Sequence, residues 1–148
     1  MKDSTQPCAA ASGAIDVLAR TIYGEARGET VRGKEAVAAV VMNRLRRATD
    51  QPRRFGAGQT VESICRQPYQ FSCWNAADVN RPEIERVQAG NATFDCCVRI
   101  ATRAVRNILA DPTGGATHYH AIGAWPYWAS GRKPDVIIGR HVFYKGID

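Results

Sequence analysis

The chain has 148 residues, enough for one domain with a proper core and too few for two. With 45% hydrophobic and 23% charged residues it is not globally disordered, and no run approaches the roughly 20 apolar residues that cross a bilayer. A formal charge of +6 favours anionic partners, among them nucleic acid, acidic membranes and the bacterial wall.

Residues 1 to about 13 are small and polar and predict a loose lead-in, with a single domain over 14–148. AAASGA resembles a cleavage site, yet no apolar core precedes it, so no secretory signal is visible and the export route stays open. From Ile15, apolar residues at Leu18, Ala19 and Ile22 recur at helical spacing and predict a helix over 14–25, interrupted by Arg27-Gly28. A stronger amphipathic pattern predicts a second helix over 31–47, with Ala36, Val37, Val40, Val41 and Leu45 on one face.

TDQPRRFGAGQT (49–60) reads as a loop, and Thr60 as the N-cap of a short helix through Cys65. QPYQFSCWN (67–75) is aromatic and irregular. Pro82 opens another helical segment, and the pattern predicts a helix over 94–109, with Cys97, Ile100, Ala101, Ala104, Val105 and Ile108 on its apolar face. THYHAI and VIIGRHVFY predict two antiparallel strands around the turn-prone GAWPYWASGRKPD. Helices first and a small sheet last make an α+β domain.

TIYGEARGE holds two glutamates of different promise. Glu25 ends a helix beside Ile22 and Tyr23, where partial desolvation over an aromatic wall suits a general acid for glycoside cleavage. A solvated helix-terminal charge is the plainer alternative. Glu29 reads instead as a cap or a favourable charge on the first turn of the second helix. The rings, amides and hydroxyl of 67–75, including Gln70, Phe71, Ser72 and Trp74, suit either a sugar cleft or a core plug.

Other chemistries have weaker support. His118 and His120 share a strand face and could meet His141 at zinc, but a core or cleft-lining role is the better reading, and no metal or cofactor is expected. Cys73 has no neighbouring group to lower its pKa and makes a poor nucleophile. Five cysteines leave one over, and Cys65 and Cys73 bracket a segment that a disulfide could close in an oxidising compartment. The arginines are scattered rather than set along a reading helix, so nucleic acid is not expected as a partner.

Taken in order, ARTIYGEARGE, GKEAVAAVVMNRL, FG-x-x-TVESIC, QPYQFSCW, DPTGGATHYHA and IGRHVFY resemble the SleB/CwlJ family of bacterial cell-wall hydrolases, over roughly residues 16–145. The resemblance implies a lysozyme- or transglycosylase-like helical core with a small sheet. It implies Glu25 as the catalytic acid, and a substrate cleft lined by Gln70, Phe71 and Ser72 and by the strand His118, Tyr119 and His120; Tyr23 and Trp74 complete the expected contacts. The activity expected is cleavage between N-acetylmuramic acid and N-acetylglucosamine, as a lytic transglycosylase or a muramidase. The expected partner is peptidoglycan, the expected place of action the cell wall or periplasm, and the expected state a monomer. An amidase or peptidase using His or Cys chemistry, and a silent wall-binding module, are the alternatives. Histidines replace some of the family's aromatic positions in THYHA, and the Cys65–Cys73 pair is not a general family feature.

Overall fold

The apolar spacing around Leu18 and Ile22 produces the central element of the fold. The computed structural model describes residues 9–68 and 70–147. Helix α1 (Ala9–Ala26) packs against four other helices and against the turn at Ser72–Trp74, and Leu18, Ala19 and Ile22 are wholly buried. The helix starts at Ala9, so the expected loose lead-in is helical over 9–13; its residues 1–8 lie outside the described residues.

Helix α2 (Val31–Asp50) begins at Thr30, whose hydroxyl accepts from the Gly33 N–H at 3.2 Å. Its alanine-rich centre is fully inside, as close packing requires. Helix α2 runs past its expected end at Arg47, so the loop expected over 49–60 starts only after Asp50, and it contains a single helical turn, α3 (Pro52–Phe55), started by proline. Thr60 caps α4 (Val61–Arg66). After a 3-10 turn at Ser72–Trp74 come α5 (Arg81–Arg86) and α6 (Ala92–Val105).

Helix α6 stops four residues short of the predicted end. Asn107 takes a left-handed φ of 59°, and the Asn107 and Ile108 N–H groups bond the Ala104 and Arg103 carbonyls. That is a Schellman closure, and it turns Ile108 out to 68% exposure instead of onto the buried face.

The sheet has three strands rather than two. β1 (His118–Ala121), β2 (Val136–Ile138) and β3 (His141–Tyr144) are antiparallel in the order β1-β3-β2. VIIGRHVFY is therefore a hairpin: Ile138 pairs with His141, and Gly139-Arg140 form the two-residue turn. Gly139 sits at φ +57°, the conformation a tight Gly-X hairpin turn needs at its first central position.

The sheet is tied to α2 by buried polar groups. Asn43 Nδ2 donates to the Ala116 carbonyl and to Asp111, each at 2.9 Å, and Arg44 Nε donates to the Thr117 carbonyl. Asp111 in turn gathers the Thr113 and Gly115 N–H groups and the Thr113 hydroxyl, shaping the loop that delivers β1.

Candidate active site

The C-terminal turn of α1, the segment 70–73 and the front of the sheet enclose a cleft of about 250 Å³. Its lining is Glu25, Gln70, Ser72, Tyr119, Ala121 and His141. Glu25 is mostly buried at the end of α1. Burial raises its pKa above the ordinary carboxylate value, and the charge of Asp78 adds to the rise. The Cys73 peptide N–H and thiol and the Tyr119 hydroxyl act as donors to the carboxylate and pull the other way. Tyr119 itself is pushed well up, by burial first and then by the Glu25 charge, so it remains a protonated donor.

Close backbone approach makes this contact possible. A Cβ on Gly24 would lie 2.7 Å from the Cys73 Cβ and 2.9 Å from Ile84. Only glycine at the position before Glu25 lets the Cys73 turn lie on the helix.

Gln70 is oriented from behind. An Arg44 guanidinium N–H donates to its Oε1 at 2.8 Å, which leaves the Gln70 NH₂ available as a donor. Arg44 is buried, its pKa lowered to about 10 by desolvation, and its guanidinium lies 5.1 Å over the Phe71 ring. Phe71 is wholly buried beneath the cleft, 6.4 Å from the Tyr119 ring, and supports the lining without being part of it.

The remaining expected contacts lie elsewhere. Tyr23, two residues before Glu25, points to another side of α1. It is buried against Phe94 and donates to Glu83 at 2.9 Å. The Trp74 indole N–H donates to Thr21, and its ring lies between Arg66 and Arg81 in a neighbouring groove. His118 and His120 are on the back of the sheet, because β1 alternates and Tyr119 takes the front. His118 packs edge-on to Trp128 at 5.2 Å, and burial holds its pKa down to about 3. His120 is buried, with Nδ1 2.9 Å from the Ala121 carbonyl and Nε2 2.8 Å from the Tyr144 hydroxyl. The three histidines therefore do not converge: His141, paired with Ala121, is on the front.

His141 is the cleft residue the sequence analysis missed as such, and Glu29 is what sets it. Glu29 does not cap α2, since Thr30 does. Its carboxylate crosses to the β2–β3 turn, accepts the Arg140 N–H at 2.9 Å and lies 3.6 Å from His141 Nδ1. A Cβ on Gly139 would come within 2.6 Å of it. Both side chains are nearly buried, at 12% and 10% exposure. Burial lowers the His141 pKa, and the Glu29 charge opposes that.

No disulfide closes the 67–75 segment: Cys65 and Cys73 are separate buried thiols, as Cys97 is, and Cys96 is also free. Desolvation raises the Cys65 pKa to about 12, while burial and the Glu25 charge drive Cys73 up, away from a reactive thiolate. Tyr69 and Cys8 lie outside the described residues.

Known proteins are similar to this chain over most of its length. Residues 28–144, most of the chain, match the cell wall hydrolase family. The chain belongs to that family. The match begins just after Glu25, but similarity to single relatives extends across it. A spore cortex-lytic enzyme of Halalkalibacterium halodurans is 30% identical over 145 residues, 96% of this chain and 38% of that protein. A spore cortex-lytic enzyme of Bacillus cereus is 31% identical over 132 residues, 88% of this chain and 44% of its own. The chain thus spans about two-fifths of the length of these relatives.

In solved structures the matching part stands alone. The catalytic domain of Bacillus cereus SleB superposes with a TM-score of 0.69 at 27% identity, covering 96% of this chain and 97% of that one. The catalytic domain of the germination-specific lytic transglycosylase SleB of Bacillus anthracis gives 0.70 at 28% identity, covering 95% and 100%. The α+β architecture is that of the SleB catalytic domain.

Proposed function

We propose that this domain cleaves the glycan strands of peptidoglycan between N-acetylmuramic acid and N-acetylglucosamine, as a lytic transglycosylase. The observation that carries the reading is the single carboxyl group in the cleft lining, desolvated and fixed by donors. Desolvation shifts Glu25 toward its protonated form, the direction a general acid requires. The Glu25 proton passes to the glycosidic oxygen as the C1–O bond breaks, and the glucosamine 4-hydroxyl leaves. The carboxylate then takes the proton of the muramoyl 6-hydroxyl, and that oxygen closes on C1 to form the 1,6-anhydro ring. One group serves both steps, so a second carboxyl is not needed.

Tyr119 holds the ionised form between the two transfers, and Gln70, oriented by Arg44, offers its NH₂ to an acetamido carbonyl or a hydroxyl of the sugar. The basic surface favours the anionic wall, the substrate and partner in this reading, and that attraction weakens with salt. The names of the similar proteins, a lytic transglycosylase catalytic domain and spore cortex-lytic enzymes, support the same reaction class.

Product analysis tests this directly. Digested strands should carry anhydro-muramoyl ends by mass spectrometry; reducing ends would make the domain a muramidase, with water in place of the 6-hydroxyl. A folded Glu25→Gln variant that lyses walls at the parental rate would refute the assignment.

A further inference from the structure

Between β1 and β2 the chain makes an excursion that the cleft does not use. Trp125 is 77% exposed and Tyr127 96% exposed, a large aromatic surface held in water. Keeping such area exposed forgoes the stabilisation that its burial would bring. The excursion is nonetheless firmly built. Trp128, the next ring, turns inward and packs 5.2 Å from both His118 and Tyr144 and 5.8 Å from His120. Ala129 is buried, and its N–H bonds the Pro126 carbonyl within the 3-10 turn Tyr127–Ala129. The Trp125 ring rests 5.4 Å from the His120 ring, which the Tyr144 hydroxyl holds in place. Buried His120 and half-buried His118 thus form the base of a fixed aromatic ledge.

The ledge borders a hollow of about 530 Å³, room for a sugar unit with its substituents, lined by Trp125, Pro126, Tyr127, Ser130 and Arg132 among others. Arg132, Lys133 and Arg140 are exposed, and among the described residues none of them is in an ion pair. The one acid of residues 122–140, Asp135, accepts the Lys145 N–H. The ledge lies on the opposite face of the sheet from the cleft and is joined to it through the end of β1. Ala121 lines the cleft, and the next residue, Ile122, donates its N–H to the carbonyl of Arg140, the neighbour of His141.

We propose that this ledge is a second glycan-binding surface, which grips peptidoglycan apart from the segment held over Glu25. Trp125 and Tyr127 stack on apolar pyranose faces, the Ser130 hydroxyl meets sugar hydroxyls, and Arg132 meets the carboxylates of the muramoyl side chains. The inference rests on the reading of the cleft as a peptidoglycan site.

The test is co-sedimentation with purified sacculi, done in a Glu25→Gln background so that the wall is not consumed. Trp125→Ala with Tyr127→Ala should weaken sacculus binding roughly tenfold, the scale of losing exposed aromatic anchors, and Trp125→Phe with Tyr127→Phe should restore most of it. With Glu25 intact, the alanine pair should lower the rate on sacculi more than the rate on short soluble glycan fragments. Unchanged sacculus binding, or an equal fall on both substrates, overturns the ledge while leaving cleavage at Glu25 standing. Loss of binding to phosphatidylglycerol vesicles with sacculus binding intact overturns it in favour of a membrane surface. If the sacculus effect appears but the parent protein releases no cut glycan, the ledge stands and the reading of the reaction falls.

Discussion

The two faces of the three-stranded sheet carry the same kinds of residue and treat them in opposite ways. On the front, Tyr119 and His141 border a cleft and answer to the charges of Glu25 and Glu29. On the back, His118 and His120 are locked among Trp128, Tyr144 and Trp125, and His118 answers to burial and to the charges of arginines. A histidine's role here follows from the strand face it occupies. The difference teaches that the front couples its groups to carboxylate charges, while the back supplies packing.

The largest effect should come from removing the front's central charge. Glu25→Gln should lower wall cleavage by about a hundredfold to ten-thousandfold, the range for loss of a general acid. The same change should raise the melting temperature at neutral pH. A carboxyl with a raised folded pKa contributes stability that is complete below the unfolded value and lost as pH rises through the folded one. The gain from Gln should therefore shrink toward zero as pH falls below about 4.3, the unfolded glutamate value. Calorimetry across pH checks it, and a gain that grows on acidification would contradict a desolvated Glu25.

The back should break by stability alone. His120→Ala opens a buried gap and strips the Tyr144 hydroxyl of its partner, at about 2–3 kcal/mol by chemical denaturation. The pH profile of cleavage should keep its shape, because His120 does not face Glu25. A shifted profile would mean that the two faces are coupled through β1.

Gly24→Ala sharpens the comparison at the helix. The added methyl meets the Cys73 Cβ and Sγ and the Ile84 side chain inside 3.0 Å, so the Cys73 turn must move. Overpacking of this kind costs about 1–3 kcal/mol. Here it should also lower kcat, since the displaced N–H and thiol belong to the Glu25 environment. A variant that loses stability and keeps kcat would show that those donors are dispensable.

Much of this was legible in the chain and some could not be. Helical periodicity predicted α1 and α2, because a face of Leu18, Ala19 and Ile22, or of Ala36 and Val40, has no other use. Strand alternation put His118 and His120 on one face but could not say which face met the cleft; that depends on Arg44 and Asn43 fixing the approach of β1. VIIGRHVFY hid a hairpin because its only turn signal was Gly139, within an otherwise continuous run of strand-forming residues. Ile108 fell off its helix through the backbone habit of Asn107, which no apolar pattern registers. The absent Cys65–Cys73 disulfide reflects packing of each thiol on its own, and spacing carries no information about that.

The smallest predicted effect concerns the second glutamate of TIYGEARGE. Glu29→Gln keeps an acceptor for the Arg140 N–H, so the β2–β3 turn should hold, and it removes only the charge beside His141. The His141 pKa, already lowered by burial, should then fall further, which imidazole NMR titration can follow. Because that folded pKa lies below the unfolded one, its stabilising contribution is present above about 6.5 and is lost as pH falls through the folded value. Removing the Glu29 charge should steepen the acid-side loss, in the opposite sense to the acid-side convergence expected when Glu25 is neutralised. A His141 titration unmoved by Glu29→Gln would mean that the carboxylate matters to the turn alone, and that His141 joins the cleft by backbone register without electrostatic help.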